Sequence, residues 1–303
     1  MRMTLLFQRI GFSVDVGIAY SGLAALLYGV FLFVMKRWFD DYPSSVFLLV
    51  TYIISFLVYL PVVVISDTAF FSAPNRLNAL GAILAVTVGM TLGLTLVFRA
   101  LQIGEVSYVS PISKIIPVFV LPLEVGLLGQ HLSVLQVGGV VVATIAIYVA
   151  NWQGTTLLAP VKRARQSRPA QLALLSAITF ALDDLGKRVL MQELAVAPTT
   201  YIPMMFVGIS VLMGPVALRT HWPDEWWQDL PLFFVTALLV AVANHIVLLA
   251  FQLQPASIVS PIVNGQAIVA VILGAILLKE SHIRARLVAT ALAIIGIAMI
   301  SVG

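Results

Sequence analysis

Residues 100–120 read ALQIGEVSYVSPISKIIPVFV, and residues 250–270 read AFQLQPASIVSPIVNGQAIVA. At an offset of 150 residues Ala100 aligns with Ala250, Gln102 with Gln252, Val109-Ser110-Pro111-Ile112 with Val259-Ser260-Pro261-Ile262, and farther on Gln130 with Glu280. Two apolar helices can match through composition alone, but a shared Val-Ser-Pro-Ile in one register is harder to attribute to composition. The stretch Ala100–Ala150 therefore recurs as Ala250–Ile300, and the chain reads as a duplication.

The sequence surrounding both copies is apolar. Of 303 residues 61% are hydrophobic and only 10% charged, with a mean hydropathy of +1.06. A soluble domain of this size has too little interior to hide that much apolar surface. A bilayer core of roughly 30 Å needs about 20 apolar helical residues, and ten runs approach that length: 17–36, 44–66, 78–100, 106–129 and 133–152, then 170–191, 198–219, 230–251, 256–278 and 284–302. Asp40-Asp41-Tyr42-Pro43, Ser72-Ala73-Pro74-Asn75 and Trp222-Pro223-Asp224 separate some of them with residues that disfavour a continuing helix. All five tryptophans, Trp38, Trp152, Trp222, Trp226 and Trp227, fall at or just beyond run ends, where an amphipathic ring prefers the headgroup zone.

Backbone amides in hydrocarbon must pair within the chain, and runs of this length favour helices over the ten-residue alternation of a barrel. The expected fold is an all-α integral membrane protein of ten transmembrane helices, built as two five-helix repeats. The chain divides into an N-terminal tail (1–16), a first repeat (17–153), a basic linker (154–169) and a second repeat (170–303). Arg2 and Arg9 precede the first run, but that run is long and no small-residue cleavage site follows it, so it reads as a span and not as a signal peptide. Five is odd, so the second repeat enters the membrane from the opposite side and the repeats are inverted. Secondary transporters are often built this way, with a site near the midplane and alternating access between the halves.

The ends of the two copies, Pro117-Val118-Phe119 through Leu128-Gly129-Gln130 and Leu277-Leu278-Lys279-Glu280 followed by Gly296, resemble the EamA domain of the drug/metabolite transporter superfamily. The resemblance covers nearly the whole chain as two domains. It implies a secondary carrier of small organic metabolites in a membrane, without naming a substrate. The sequence departs from the family pattern at Gln130, where glutamate is usual, and at Lys114, where relatives commonly carry apolar or small polar residues. Gln130 and Glu280, at helix ends, read more readily as capping or inter-loop contacts than as transport residues.

A charge near the bilayer centre costs a few kcal/mol on insertion scales, so intramembrane charges are candidate functional residues. Lys114 lies deep in the fourth run, bracketed by Pro111 and Pro117, and its repeat counterpart is Asn264. It reads as an anchor for an anionic or carboxylate-bearing substrate, or else as a buried partner of Asp183, Asp184 or Glu124. In the sixth run Asp183 and Lys187 are four apart, as are Asp184 and Arg188, so each acid has a base one turn on. The rival reading makes a desolvated aspartate, Asp183 first, the proton carrier of coupled transport. Glu124, in the last third of its run, reads as a headgroup or loop contact.

Asn244 and His245 sit mid-run opposite Leu94 and Thr95, so Thr95 and His245 are expected to approach across the repeat axis, His245 serving as a proton relay or as a hydrogen-bonding link between helices. Asn264 and Gln266 add polarity, and Tyr28, Tyr52 and Tyr108 either wall the same cavity or pack. Gly89 with Gly93, and Ala289 with Ala293, form small-residue pairs suited to close helix packing or to a dimer.

Several classes are excluded or disfavoured. There is no cysteine, no His-Glu-x-x-His and no Gly-x-Ser-x-Gly, and the histidines number only four, so no catalytic, metal or cofactor site is expected. The net charge of +4 reflects the linker's Lys162, Arg163, Arg165 and Arg168, a solvated loop near anionic lipid and not a nucleic-acid site. The expected partners are a small molecule, membrane lipid and a proton, with the protein a monomer or homodimer in a prokaryotic inner membrane. A flippase for a lipid phosphate or lipid-linked sugar is the closest rival function. Basic residues gather on the face that holds the linker, which the positive-inside rule makes cytoplasmic, whereas the resemblance puts the termini there; the two indications oppose each other.

Overall fold

The computed structural model describes residues 15–66, 76–104, 109, 112–150, 167–278 and 283–302, and among them there is helix and turn but no strand. The described helices are α1 (Val16–Trp38), α2 (Ser44–Ile65), α3 (Arg76–Ile103), α4 (Ile116–Leu128), α5 (Val134–Ala150), α6 (Arg168–Arg188), α7 (Pro198–Ala217), α8 (Leu230–Leu253), α9 (Ala256–Asn264), α10 (Gln266–Leu278) and α11 (Ile283–Val302).

Their ends follow from local chemistry. Asp15 caps α1, its Oδ1 accepting from the Gly17 amide at 2.7 Å. Ser133 and Gln136 exchange side-chain and backbone bonds in a capping box before α5. α6, α7 and α8 carry proline in their first turn, where no intrahelical donor is lost. α4 stops at Gly129, which adopts φ +64°, a conformation that glycine enters without a Cβ clash.

α1, α2, α3, α7 and the segment Trp226–Leu253 that contains α8 are long and apolar enough to cross a membrane. Large apolar side chains such as Val64, Ile65, Leu77 and Val134 stand exposed on the outside, an arrangement that hydrocarbon tolerates and water does not.

Two expected spans are not single helices. The run 106–129 contains a turn at Lys114 and Ile115 before α4 begins, and the run 256–278 breaks at Gly265 between α9 and α10. The bounds of α10 are those of α4 displaced by 150 residues. Pro117, in the first turn of α4, removes a donor and favours a helix start there. The sixth run also ends differently from expectation, passing into a π-helical turn over Val189–Glu193.

Packing joins the two halves of the sequence. α1 lies against α8, and its counterpart α6 lies against α3; α2 meets α7; α5 meets α11; α4 meets α9; α1 also meets α10, as α6 meets α4. Each of these pairings except that of α4 with α9 maps onto itself or onto another under the 150-residue offset; the counterpart of α9, 106–114, lies largely outside the described residues. The α5–α11 crossing is close because both helices present glycine: a Cβ on Gly139 would lie 2.7 Å from the Gly296 carbonyl oxygen, and one on Gly296 would lie 2.7 Å from the Ala143 amide nitrogen. Of the pair Gly89 and Gly93, only Gly93 receives a neighbour, Phe180 of α6, while a Cβ on Gly89 would meet nothing within 4 Å, so the close packing expected at Gly89 is not found among the described residues. The side chain of Ala289 lies outside the described residues.

Candidate functional site

α6 supplies the buried charges, because one apolar helix carries Asp183, Asp184, Lys187 and Arg188 within two turns of its C-terminal end. The side chains of Asp183 and Lys187 form an ion pair of 2.6 Å, and Lys187 also lies 3.7 Å from Asp184. The expected Asp184–Arg188 pair is not formed. Asp184 instead accepts from the Ser260 hydroxyl on α9 at 2.7 Å, and Arg188 turns to Glu124 on α4 at 3.2 Å. Helical spacing allowed Asp184 to pair with Arg188; the packing of α4 and α9 on α6 offered each a better partner.

Glu124 also departs from the headgroup or loop contact expected of it. It is 0% exposed, and its two oxygens accept the Ala256 and Ser257 amides at 2.7 and 2.6 Å. The carboxylate thus covers the start of α9, where amide donors have no intrahelical partner. Around this pair Arg188 donates to Gln192 at 3.1 Å and to Gln130 at 3.3 Å. Gln192 in turn donates to the carbonyls of Phe251 and Gln254, and Gln254 donates to Asp15 at 2.7 Å. One end of the bundle is therefore tied together by polar bonds among the ends of α1, α4, α6, α8 and α9.

Deeper, the acid–base trio Asp183, Asp184 and Lys187 meets aromatic hydroxyls. Tyr28 of α1 lies within electrostatic range of Asp183 and Asp184, Tyr52 of α2 of Asp183 and Lys187, and Tyr201 of α7 of the same two. The hydroxyl of Tyr201 and the Oδ1 of Asp183 are buried without a hydrogen-bond partner among the described residues. Asn264, at the end of α9, donates to the Ser260 carbonyl at 2.9 Å, which links the break in the ninth run to the trio.

Lys114 sits at the break before α4, enclosed by the protein yet still partly exposed. Among the described residues it has no hydrogen bond or ion pair, so none of Asp183, Asp184 and Glu124, its expected alternatives, neutralises it. Thr95 and His245 do not bond to one another. Thr95 donates to the Thr91 carbonyl of its own helix at 2.8 Å, and His245 Nδ1 meets the Tyr59 hydroxyl at 2.7 Å. Asn244 is buried and donates to the Val240 carbonyl one turn back, a local bond that satisfies it. Tyr108 lies outside the described residues.

Tyr201 and Ser260 escaped the sequence reading. Ser260 lay in plain view inside the repeated Val-Ser-Pro-Ile, and Tyr201 stands two residues before Pro203 in a run whose apolar pattern hides it. At the opposite end of α1 and α8 the closure is aromatic: Phe39 and Phe233 each pack against the other and against Tyr42 and Phe47, with ring centroids 4.5 to 6.0 Å apart. The Tyr42 hydroxyl donates to Asp229, and desolvation together with that bond holds the phenol above its ordinary pKa.

A family model described as "EamA-like transporter family" matches residues 15–152 and 168–302. A solved crystal structure 13% identical in sequence superposes with a TM-score of 0.77, covering 96% of this chain and 97% of the other; at that identity the likeness establishes the fold. The comparison with curated proteins gives no match.

Proposed function

The chain belongs to the EamA-like transporter family, and from that premise we propose that it is a secondary carrier that moves a small organic anion by alternating access. Membership and the apolar helices support an integral membrane protein and a transporter of the drug/metabolite kind, a family whose members are transporters rather than enzymes. The finer reading is ten spans as two inverted five-helix repeats, with the fourth and ninth spans each broken in the membrane. Its support is the exchange symmetry of the helix pairings, α1 on α8 against α6 on α3.

The observation that carries the substrate class is the matched pair of breaks. α4 and α10 both start at them, and a helix N-terminus presents unpaired amides and a partial positive charge. Lys114 adds a full charge at one break, with no acid among the described residues to neutralise it. Such discontinuous helices hold anionic groups in other inverted-repeat carriers. In this reading Lys114 and Asn264 contact the anion, and the trio on α6 completes the other wall.

The test is thermal unfolding of the purified chain with carboxylates, phosphates, amines and lipid phosphates, because a ligand that binds only the folded state raises its apparent stability. A carboxylate or phosphate is expected to raise the midpoint in the wild type, and the rise to disappear in Lys114→Ala. An unchanged rise in that variant removes Lys114 from the site.

A further inference from the structure

The trio on α6 carries more negative charge than positive. Two carboxylates, Asp183 and Asp184, face one ammonium, Lys187, which leaves one formal negative charge in a buried place where an uncompensated charge is costly. The nearby Glu124 does not look for a partner there, since Arg188 neutralises it. Asp184 is doubly engaged, by Lys187 and by the Ser260 hydroxyl. Asp183, 2% exposed, has Oδ1 without a hydrogen-bond partner among the described residues, and Tyr201, 0% exposed, has its hydroxyl without one among them. Tyr28 and Tyr52 lie within electrostatic range of the same carboxylate.

We propose that Asp183 Oδ1 and the hydroxyls of Tyr201, Tyr28 and Tyr52 form a subsite for a protonated amine, so that the carried molecule bears an ammonium group. A primary ammonium has three donors and no acceptor. The free carboxylate oxygen takes one of them in a charge-assisted bond, and the phenol oxygens accept the others. The added charge cancels the excess of the trio without displacing Lys187. This deepens the carrier reading and rests on it for the claim that the bound group is transported; the binding claim stands on the geometry of the trio alone. With Lys114 at the opposite charge, a molecule that spans both would be a zwitterion.

The experiment uses methylammonium chloride, small enough to enter whatever the rest of the true substrate looks like, titrated against the purified full chain in a thermal unfolding assay, with sodium chloride and choline chloride at matched ionic strength. Methylammonium is expected to raise the midpoint above both controls, with half-saturation at least about tenfold weaker in Asp183→Asn. Tyr201→Phe keeps the ring and removes one acceptor, so it is expected to weaken half-saturation by roughly fivefold; it decides the matter if Asp183→Asn does not fold. No difference between methylammonium and the controls overturns the subsite. So does an equal rise from sodium, which would make it a metal-cation site, or an equal response in wild type, Asp183→Asn and Tyr201→Phe. Failure of the Lys114 anion test with methylammonium binding intact would remove the anion reading and leave the amine subsite.

Discussion

At the scale of single residues, burial separates structural charges from those with capacity to spare. Glu124 is fully saturated: two backbone amides and Arg188 use both its oxygens. Removing it leaves Arg188, which is only 7% exposed, with the exposed Glu193 at 4.0 Å as its remaining acid, and breaking a buried ion pair costs about 3–5 kcal/mol. Glu124→Ala is therefore expected to lower the thermal midpoint far more than Gln130→Ala, whose amide oxygen accepts a single long bond from Arg188. Adding Arg188→Gln to Glu124→Gln should recover part of the loss of the single variant, because the stranded charge disappears with its partner. A double variant no better than the sum of the singles would show that Arg188 is held by Gln192 and Gln130 instead. Asp183 is the contrary case, a carboxylate with one oxygen in an ion pair and the other unoccupied.

Among elements, the sequence disclosed lengths and ends better than partners and breaks. Apolar runs bounded by proline, aspartate and tryptophan placed the starts of α2, α7 and α9 near Ser44, Pro198 and Ala256, where the helices begin, because those boundaries are decided by local chemistry. The break at Gly265 carried the turn dipeptide Asn264-Gly265 and Pro261, but Ile262, Val263, Ala267 and Ile268 continue the apolar pattern across it and masked them; the break at Lys114 had Pro111 and Pro117 beside it. Partner choice had no local signal at all. Arg188 stands one turn from Asp184 and also faces α4, and only the crossing of α4 over α6 selects Glu124. The close α5–α11 contact depends on the same kind of tertiary fact. Gly139→Leu has no room against the Gly296 carbonyl, and overpacking of this kind costs about 1–3 kcal/mol or more, so it should lower the thermal midpoint sharply. Gly89→Leu, which meets nothing within 4 Å, should leave it nearly unchanged. Equal losses at the two positions would mean that Gly89 is covered by a second copy of the chain.

For the whole molecule, the two ends of the bundle are held together by different chemistry, and the alternating access proposed above requires that each end part in turn. One end is polar, built on Glu124, Arg188, Gln192 and Gln254; the other is aromatic, built on Phe39, Tyr42, Phe47 and Phe233. At the aromatic end Ser45, in the first turn of α2, and Thr220, just beyond α7, bring their hydroxyls to 3.3 Å across the two halves. The chain contains no cysteine, so Ser45→Cys with Thr220→Cys introduces a single possible disulfide, between side chains close enough to form one. If the aromatic end must part during the cycle, oxidation should abolish uptake of the ligand found in the thermal screen into proteoliposomes, and reduction should restore it. Binding should survive oxidation, because Asp183, Lys187 and Asn264 lie on α6 and α9, and the disulfide holds α2 and α7, which carry Tyr52 and Tyr201, in the contact they already make here. Uptake that continues at full rate with the disulfide formed would show that α2 and α7 stay together at this end throughout transport, and would transfer the moving contact to the α1–α8 and α3–α6 pairs.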